Sequence, residues 1–273
     1  MTPIPRFHKV FYGVIFAAAL HVAVSGYFFP PRLAAITSWL ELPPLHARIV
    51  GALYFFGAVF MVNLLLARAQ AEARSALGMI AIFTGLLFVV SLLSISAFDF
   101  SQFPPWVWFA SYSIYPLIAI GLAWQSRGQG LETVPGAALP GWARGFLLAQ
   151  GALVMVLAVL LIAAPSLMTV IWPWKITPLL AQTYGGPLLA YGWVSWQYAG
   201  RKTWAGARAP LPGMFVFTTL VLLASVMHRK LFSSGEAADL MWFVLFGTAT
   251  LFLGTMLFQS IKAKRSLGLP IQA

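Results

Sequence analysis

Eight stretches of about 20 mostly apolar residues dominate this chain of 273 residues, at roughly 9–29, 49–67, 76–96, 106–125, 145–163, 183–200, 213–228 and 240–260. A helix needs about 20 such residues to cross about 30 Å of hydrocarbon, where only helices and closed barrels satisfy their own backbone. The sixth and seventh stretches are short and rich in Tyr, Gly and Thr. Charge content agrees with a membrane reading: only 8% of residues are Asp, Glu, Lys or Arg and 60% are hydrophobic, against about 25% and about 45–50% in soluble domains. No cysteine is present, which excludes disulfide scaffolds and Cys-type zinc sites. The predicted fold class is all-α: a polytopic membrane protein of eight transmembrane helices.

The net charge of +11 sorts by side. With a cytoplasmic N-terminus, twelve basic residues (among them Arg6, Lys9, Arg74, Arg144, Arg208 and Lys262) fall inside with two acids, Glu72 and Glu132. Outside fall five basic residues, Arg32, Arg48, Lys175, Arg229 and Lys230, with four acids. The result is +10 inside and +1 outside, the asymmetry that sets orientation during insertion. Both termini are predicted cytoplasmic, in a bacterial inner membrane. The basic start of the first stretch resembles a signal peptide, but its apolar run reaches Phe29, longer than an ordinary signal core, so it is read as a retained span.

The two halves match at a constant offset of 134 residues. Pro44-Leu45, Ala47 and Gly51 fall on Pro178-Leu179, Ala181 and Gly185; Ser91 falls on Ser225, Trp108-Phe109 on Trp242-Phe243 and Gln125-Ser126 on Gln259-Ser260. The reading is a duplication: a four-helix repeat over 1–126, a cytoplasmic linker over 127–143 and a second repeat over 144–273. An even number of spans per half makes the repeats parallel. The outer segments 30–48 and 164–182 are expected to carry short interfacial helices at Arg32–Glu41 and Ser166–Lys175. Trp39, Trp172 and Trp174 are then anchors in the headgroup layer, and Pro44 and Pro178 start the next spans.

The segment Pro44-Leu45-His46-Ala47-Arg48-x-x-Gly51-Ala52 resembles the P-L-T-A-R-x-x-G-A segment of uncharacterised bacterial multi-pass membrane proteins, and the four-span unit is distantly similar to DoxX-like small membrane proteins. His46 stands where that pattern has Thr. The resemblance implies a membrane fold and carries no activity.

No Asp, Glu, Lys or Arg lies near mid-depth, which argues against a carboxylate proton relay. The candidate ligand-binding residues are the deep neutral groups His21, Tyr112, Tyr115, Tyr184, Tyr191, Ser195 and Gln197. His21 is also the candidate haem or metal ligand, with His228 or His46 as partner. Pro116 and Pro187 are expected to free backbone carbonyls or to start helices. No phosphate loop, zinc-protease or nucleophile-elbow motif occurs, and no cofactor is specified. The balance is against an enzyme. The expected partners are the lipid bilayer and other membrane subunits, not nucleic acid. Three functions follow: an accessory or assembly factor, or a binder of an apolar ligand such as lipid or quinone; a transporter or channel for a neutral solute through a cavity between the repeats; or a haem or redox protein centred on His21.

Overall fold

A computed structural model describes residues 3–67, 70–128, 136–201, 203–204, 209–233 and 235–266. The described residues are helical apart from loops and one isolated bridge, Ala138 with Thr203. The helices are α1 (Arg6–Phe28), α2 (Pro30–Ile36), α3 (Pro44–Leu66), α4 (Gln70–Leu93), α5 (Phe103–Gln125), α6 (Gly141–Ala163), α7 (Pro165–Ile171), α8 (Pro178–Ala199), α9 (Leu211–Met227) and α10 (Ala237–Ser266). Single 3₁₀ turns, Ile95–Ala97 and Arg229–Leu231, follow α4 and α9. Prolines open α2, α3, α7 and α8 within their first two positions, where the missing N–H costs nothing.

Six helices (α1, α3, α5, α6, α10 and residues Ser75–Leu93 of α4) are long and apolar enough to cross a membrane. This is the pattern of a helical membrane protein. The expected sixth and seventh spans are the helices α8 and α9, but neither joins that group. The 17 residues of α9 reach about 26 Å at 1.5 Å each, short of the hydrocarbon thickness. The 22-residue α8 buries most of its surface against other helices, including Thr183, Tyr184, Gly185, Gly186, Tyr191 and Tyr198, so these residues need not be strongly apolar; Trp196 and Gln197 stay exposed. Of the six, α3 is the most enclosed, with 61% of its most apolar window buried, and α10 the least, with 17%.

The packing crosses the halves. The helix pair α1 and α3 packs together, as does α6 with α8; α3 then packs on α9, and α8 on α4. Glycine permits the tightest of these contacts. A Cβ on Gly51 would sit 2.5 Å from the Tyr27 backbone nitrogen, and one on Gly26 2.7 Å from the Ala47 carbonyl oxygen. Gly151 and Gly192 make the matching approach between α6 and α8, each 2.9 Å from the other's carbonyl oxygen by the same measure. Such contacts replace the hydrophobic effect as the source of association within lipid. The glycines of the two pairs do not stand at the 134-residue offset, but one polar bond does recur there: Trp108 Nε1 donates to Ser91 Oγ at 2.8 Å, and Trp242 Nε1 to Ser225 Oγ at 2.9 Å.

Two expectations change. The short helices expected at Arg32–Glu41 and Ser166–Lys175 begin instead at Pro30 and Pro165 and end at Ile36 and Ile171, before the tryptophans. Trp39, Trp172 and Trp174 are not lipid-facing anchors: each is only 8% exposed. Trp39 stacks on Phe98 at 4.8 Å, and Trp174 meets Trp242 edge-on at 4.7 Å, because ring-on-ring burial gains more than a half-wet headgroup position. Of the linker reading 127–143, residues 129–135 lie outside the described residues, and its far end, Gly141 to Ala143, belongs to α6. Arg208 also lies outside them.

Because a methyl group at Gly51 must push two backbones apart, Gly51→Ala is expected to lower unfolding stability by about 1–3 kcal/mol. Gly121→Ala, where nothing lies within 4 Å, is expected to be neutral. Thermal unfolding in mild detergent separates the two outcomes.

Candidate functional site

Pairing of α1 with α3 and of α5 with α4 leaves space between α1 and α5. That space is a cavity of about 530 Å³, walled by α1 to α5 and backed by Thr183, Tyr184 and Pro187 of α8. Exposed residues on its lining, Ala18 and His21 of α1 and Phe103 and Val107 of α5, mark its open side toward lipid. At the end nearest the start of α1 the rings of Phe11 and Tyr115 meet at 6.3 Å. Gly57 of α3 is buried, yet nothing lies within 4 Å of where its Cβ would be. It therefore faces the empty volume it lines.

The walls are aliphatic and aromatic, and no lining residue carries Asp, Glu, Lys or Arg. Most polar groups there are already bonded. Thr37 donates to the Leu33 carbonyl at 2.7 Å, Thr84 to Ile80 at 2.6 Å and Thr183 to Leu179 at 2.8 Å, each within its own helix. The hydroxyls of Tyr54 and Tyr112 bond to each other across α3 and α5. Pro116 and Pro187 sit inside α5 and α8, which run on through them. Each removes an N–H, so the carbonyls of Tyr112 and Thr183 lose their helical donors. Both residues line the cavity, the setting in which freed carbonyls are tolerated at membrane depth.

Behind the cavity lies a buried polar junction between the halves. His46 Nε2 contacts the Lys175 carbonyl oxygen at 2.8 Å, and His46 Nδ1 contacts Tyr184 Oη at 2.8 Å. A carbonyl only accepts, so Nε2 carries the proton and Nδ1 accepts from the tyrosine. Both nitrogens are engaged, and burial favours the neutral imidazole. Trp174 Nε1 approaches the same Nδ1 at 3.5 Å. Nearby, Arg48 donates to the Tyr27 carbonyl and, through Nε, to His228 Nε2 at 3.3 Å, while Tyr27 Oη donates to the Leu220 carbonyl at 3.0 Å. Arg48 so ties the end of α1 to the end of α9. Burial, and then the Arg48 guanidinium, push the His228 imidazole below its usual 6.5.

Four of the seven expected site residues, His21, Tyr112, Tyr115 and Tyr184, line this one cavity. The other three do not. Tyr191 packs between Phe56 at 5.1 Å and Phe217 at 5.2 Å. Ser195 joins α8 to α6, donating to the Leu147 carbonyl at 3.0 Å and accepting from Gln150 at 3.3 Å. Gln197 is exposed. The three candidate histidine ligands do not converge: His46 is bonded to Tyr184 and Lys175, His228 to Arg48, and His21 lines the cavity. Among the described residues no cluster of three or more His, Asp or Glu could hold a metal. The cavity is also built mainly by the first half, the second half supplying only Thr183, Tyr184 and Pro187 of its lining. Aromatic contacts such as Phe56 with Tyr191 and Phe60 with Tyr198 fill the seam between α3 and α8. Sequence reasoning missed Tyr54 and Gly57; a phenol and a glycine amid apolar residues of one span were the available signals. No protein-family model, curated protein or solved structure matches the chain.

Two outcomes are expected here. Tyr184→Phe removes the donor to a buried acceptor, and should lower unfolding stability by about 1–3 kcal/mol. The neutral form of His228 is the one that accepts from Arg48. The stabilisation it gives is therefore complete above about pH 6.5 and declines as pH falls through the depressed folded value. His228→Gln, which keeps an acceptor and loses the titration, should flatten the fall in thermal midpoint between about pH 7 and pH 5 relative to the unmodified chain.

Proposed function

We propose that this is a non-enzymatic integral membrane protein that binds an apolar ligand, a lipid or quinone, in the cavity between α1 and α5. One observation carries the reading: the cavity of about 530 Å³, uncharged and largely aliphatic and aromatic, faces lipid along one side. That volume falls within the 300–1,000 Å³ of ordinary small-molecule sites, which combine apolar walls with a few polar groups. His21, Tyr112, Tyr115 and Tyr184 are the ligand-contacting residues in this reading. A role as an accessory or assembly subunit is compatible with it, the ligand being structural.

The same proposal takes the chain as a tandem duplication crossing a bacterial cytoplasmic membrane eight times, with α8 and α9 as the sixth and seventh crossings and both termini cytoplasmic. Support comes from the charge asymmetry and from matched elements. The Ser91–Trp108 and Ser225–Trp242 bonds recur 134 residues apart. A helix shielded by its neighbours does not need the hydropathy of a lipid-facing one.

Organic extraction of protein purified in mild detergent, followed by mass spectrometry, should recover a tightly held apolar molecule. Gly57→Leu puts a side chain into the cavity, and should cut that recovery about tenfold or more while the protein still folds. Equal recovery from both proteins would place the bound molecule elsewhere and overturn the reading.

A further inference from the structure

The polar groups of the cavity share one level. Counting 1.5 Å per residue from the outer helix ends, His21 lies about 11 Å deep on α1, Tyr54 about 15 Å on α3, Thr84 about 14 Å on α4, and Ser111 and Tyr112 about 12–14 Å on α5. All five line the cavity. Groups from four helices thus form a belt near the bilayer middle, well below the headgroup layer.

Hydrogen-bond accounting shows what the belt offers. Two phenols carry two protons, and the bond between Tyr54 and Tyr112 uses one. One O–H of the pair is left to donate, and Thr84 has its proton engaged within α4; His21 and Ser111 can donate as well, but His21 is exposed and Ser111 half-buried, so the phenol pair, with Tyr112 buried, is the most enclosed donor. On the accepting side, Pro116 leaves the Tyr112 carbonyl without its helical donor. Nothing on the lining neutralises a phosphate or a carboxylate, and an unpaired ion at this depth is costly.

We propose, resting on the apolar-ligand reading above, that the ligand is an uncharged lipid with a single oxygen-bearing head, a carbonyl or hydroxyl, on a long hydrocarbon tail. Its head oxygen accepts from the spare hydroxyl of the Tyr54–Tyr112 pair at mid-depth, and its tail leaves between α1 and α5. A phospholipid does not fit, since its charged head would be carried about 12 Å below the surface with no cation to meet it. Quinones and isoprenoid alcohols share the fitting chemistry.

The test uses the full chain in detergent and reads ligand-dependent thermal stabilisation as an apparent Kd. The probes are decylubiquinone, geranylgeraniol, the oxygen-free hydrocarbon squalene, and dioleoylphosphatidylglycerol. Decylubiquinone or geranylgeraniol should bind about tenfold or more tighter than squalene and tighter than the phospholipid, and the stronger of the two identifies the source. Tyr54→Phe or Tyr112→Phe alone leaves one free phenol and should change little; the double variant should bring the preferred probe down to the level of squalene. Equal binding of squalene and the oxygenated probes overturns this proposal and leaves the apolar-ligand reading standing. Preference for the phospholipid does the same. Saturable binding of none of the four overturns both. The ranking in the unmodified chain decides the matter even if the double variant fails to fold.

Discussion

Backbone-to-backbone approach at Gly26 and Gly51 holds α1 against α3 and so governs where every other helix of the first half can stand. With α1 committed to α3, and α5 committed to α4, no helix fills the gap between α1 and α5. The second half uses the same device at Gly151 and Gly192. Such contacts exist only where side chains are absent, and in lipid they stand in for the hydrophobic driving force that a soluble bundle would have.

The two halves are filled differently. His21, Tyr54 and Tyr112 of the first half correspond by the 134-residue offset to Met155, Leu188 and Phe246. In the second half Trp242 lies 4.4 Å from Phe246 and 5.6 Å from Trp172, ring on ring. The first half keeps neutral hydrogen-bonding groups around open volume instead. A dense aromatic cluster rigidifies one side, and the other retains space that a ligand can enter. The cross-packing of α3 on α9 and α8 on α4, with the His46–Tyr184 bond, couples the two sides into one body.

Much of the helical layout was legible in the sequence, for a simple reason. A segment that faces lipid must be apolar over its whole length, so α1, α3, α4, α5, α6 and α10 announce themselves. Pro44 and Pro178 announced the starts of α3 and α8 because only the first turn tolerates a missing N–H. The same signal fades for α8, where burial between helices replaces lipid contact and lets Thr, Gly and Tyr accumulate. Of the candidate site residues, the deep polar character of His21, Tyr112, Tyr115 and Tyr184 was visible. That they share a wall, and that Tyr191, Ser195 and Gln197 do not, was not visible, because hydropathy carries no record of which helix stands beside which.

Composition and spacing were thus sufficient for a helical membrane protein, for the starts of α3 and α8 and for a mid-depth interior without ionised side chains, since each follows from the cost of placing one residue or one backbone group in hydrocarbon. The inward turn of Trp39, Trp172 and Trp174, the neutral His46 bridging Tyr184 and the Lys175 carbonyl, and a cavity built mainly by the first half came from packing. These depend on pairwise fits between distant segments, and a one-dimensional pattern of polar and apolar residues is the same for many such arrangements.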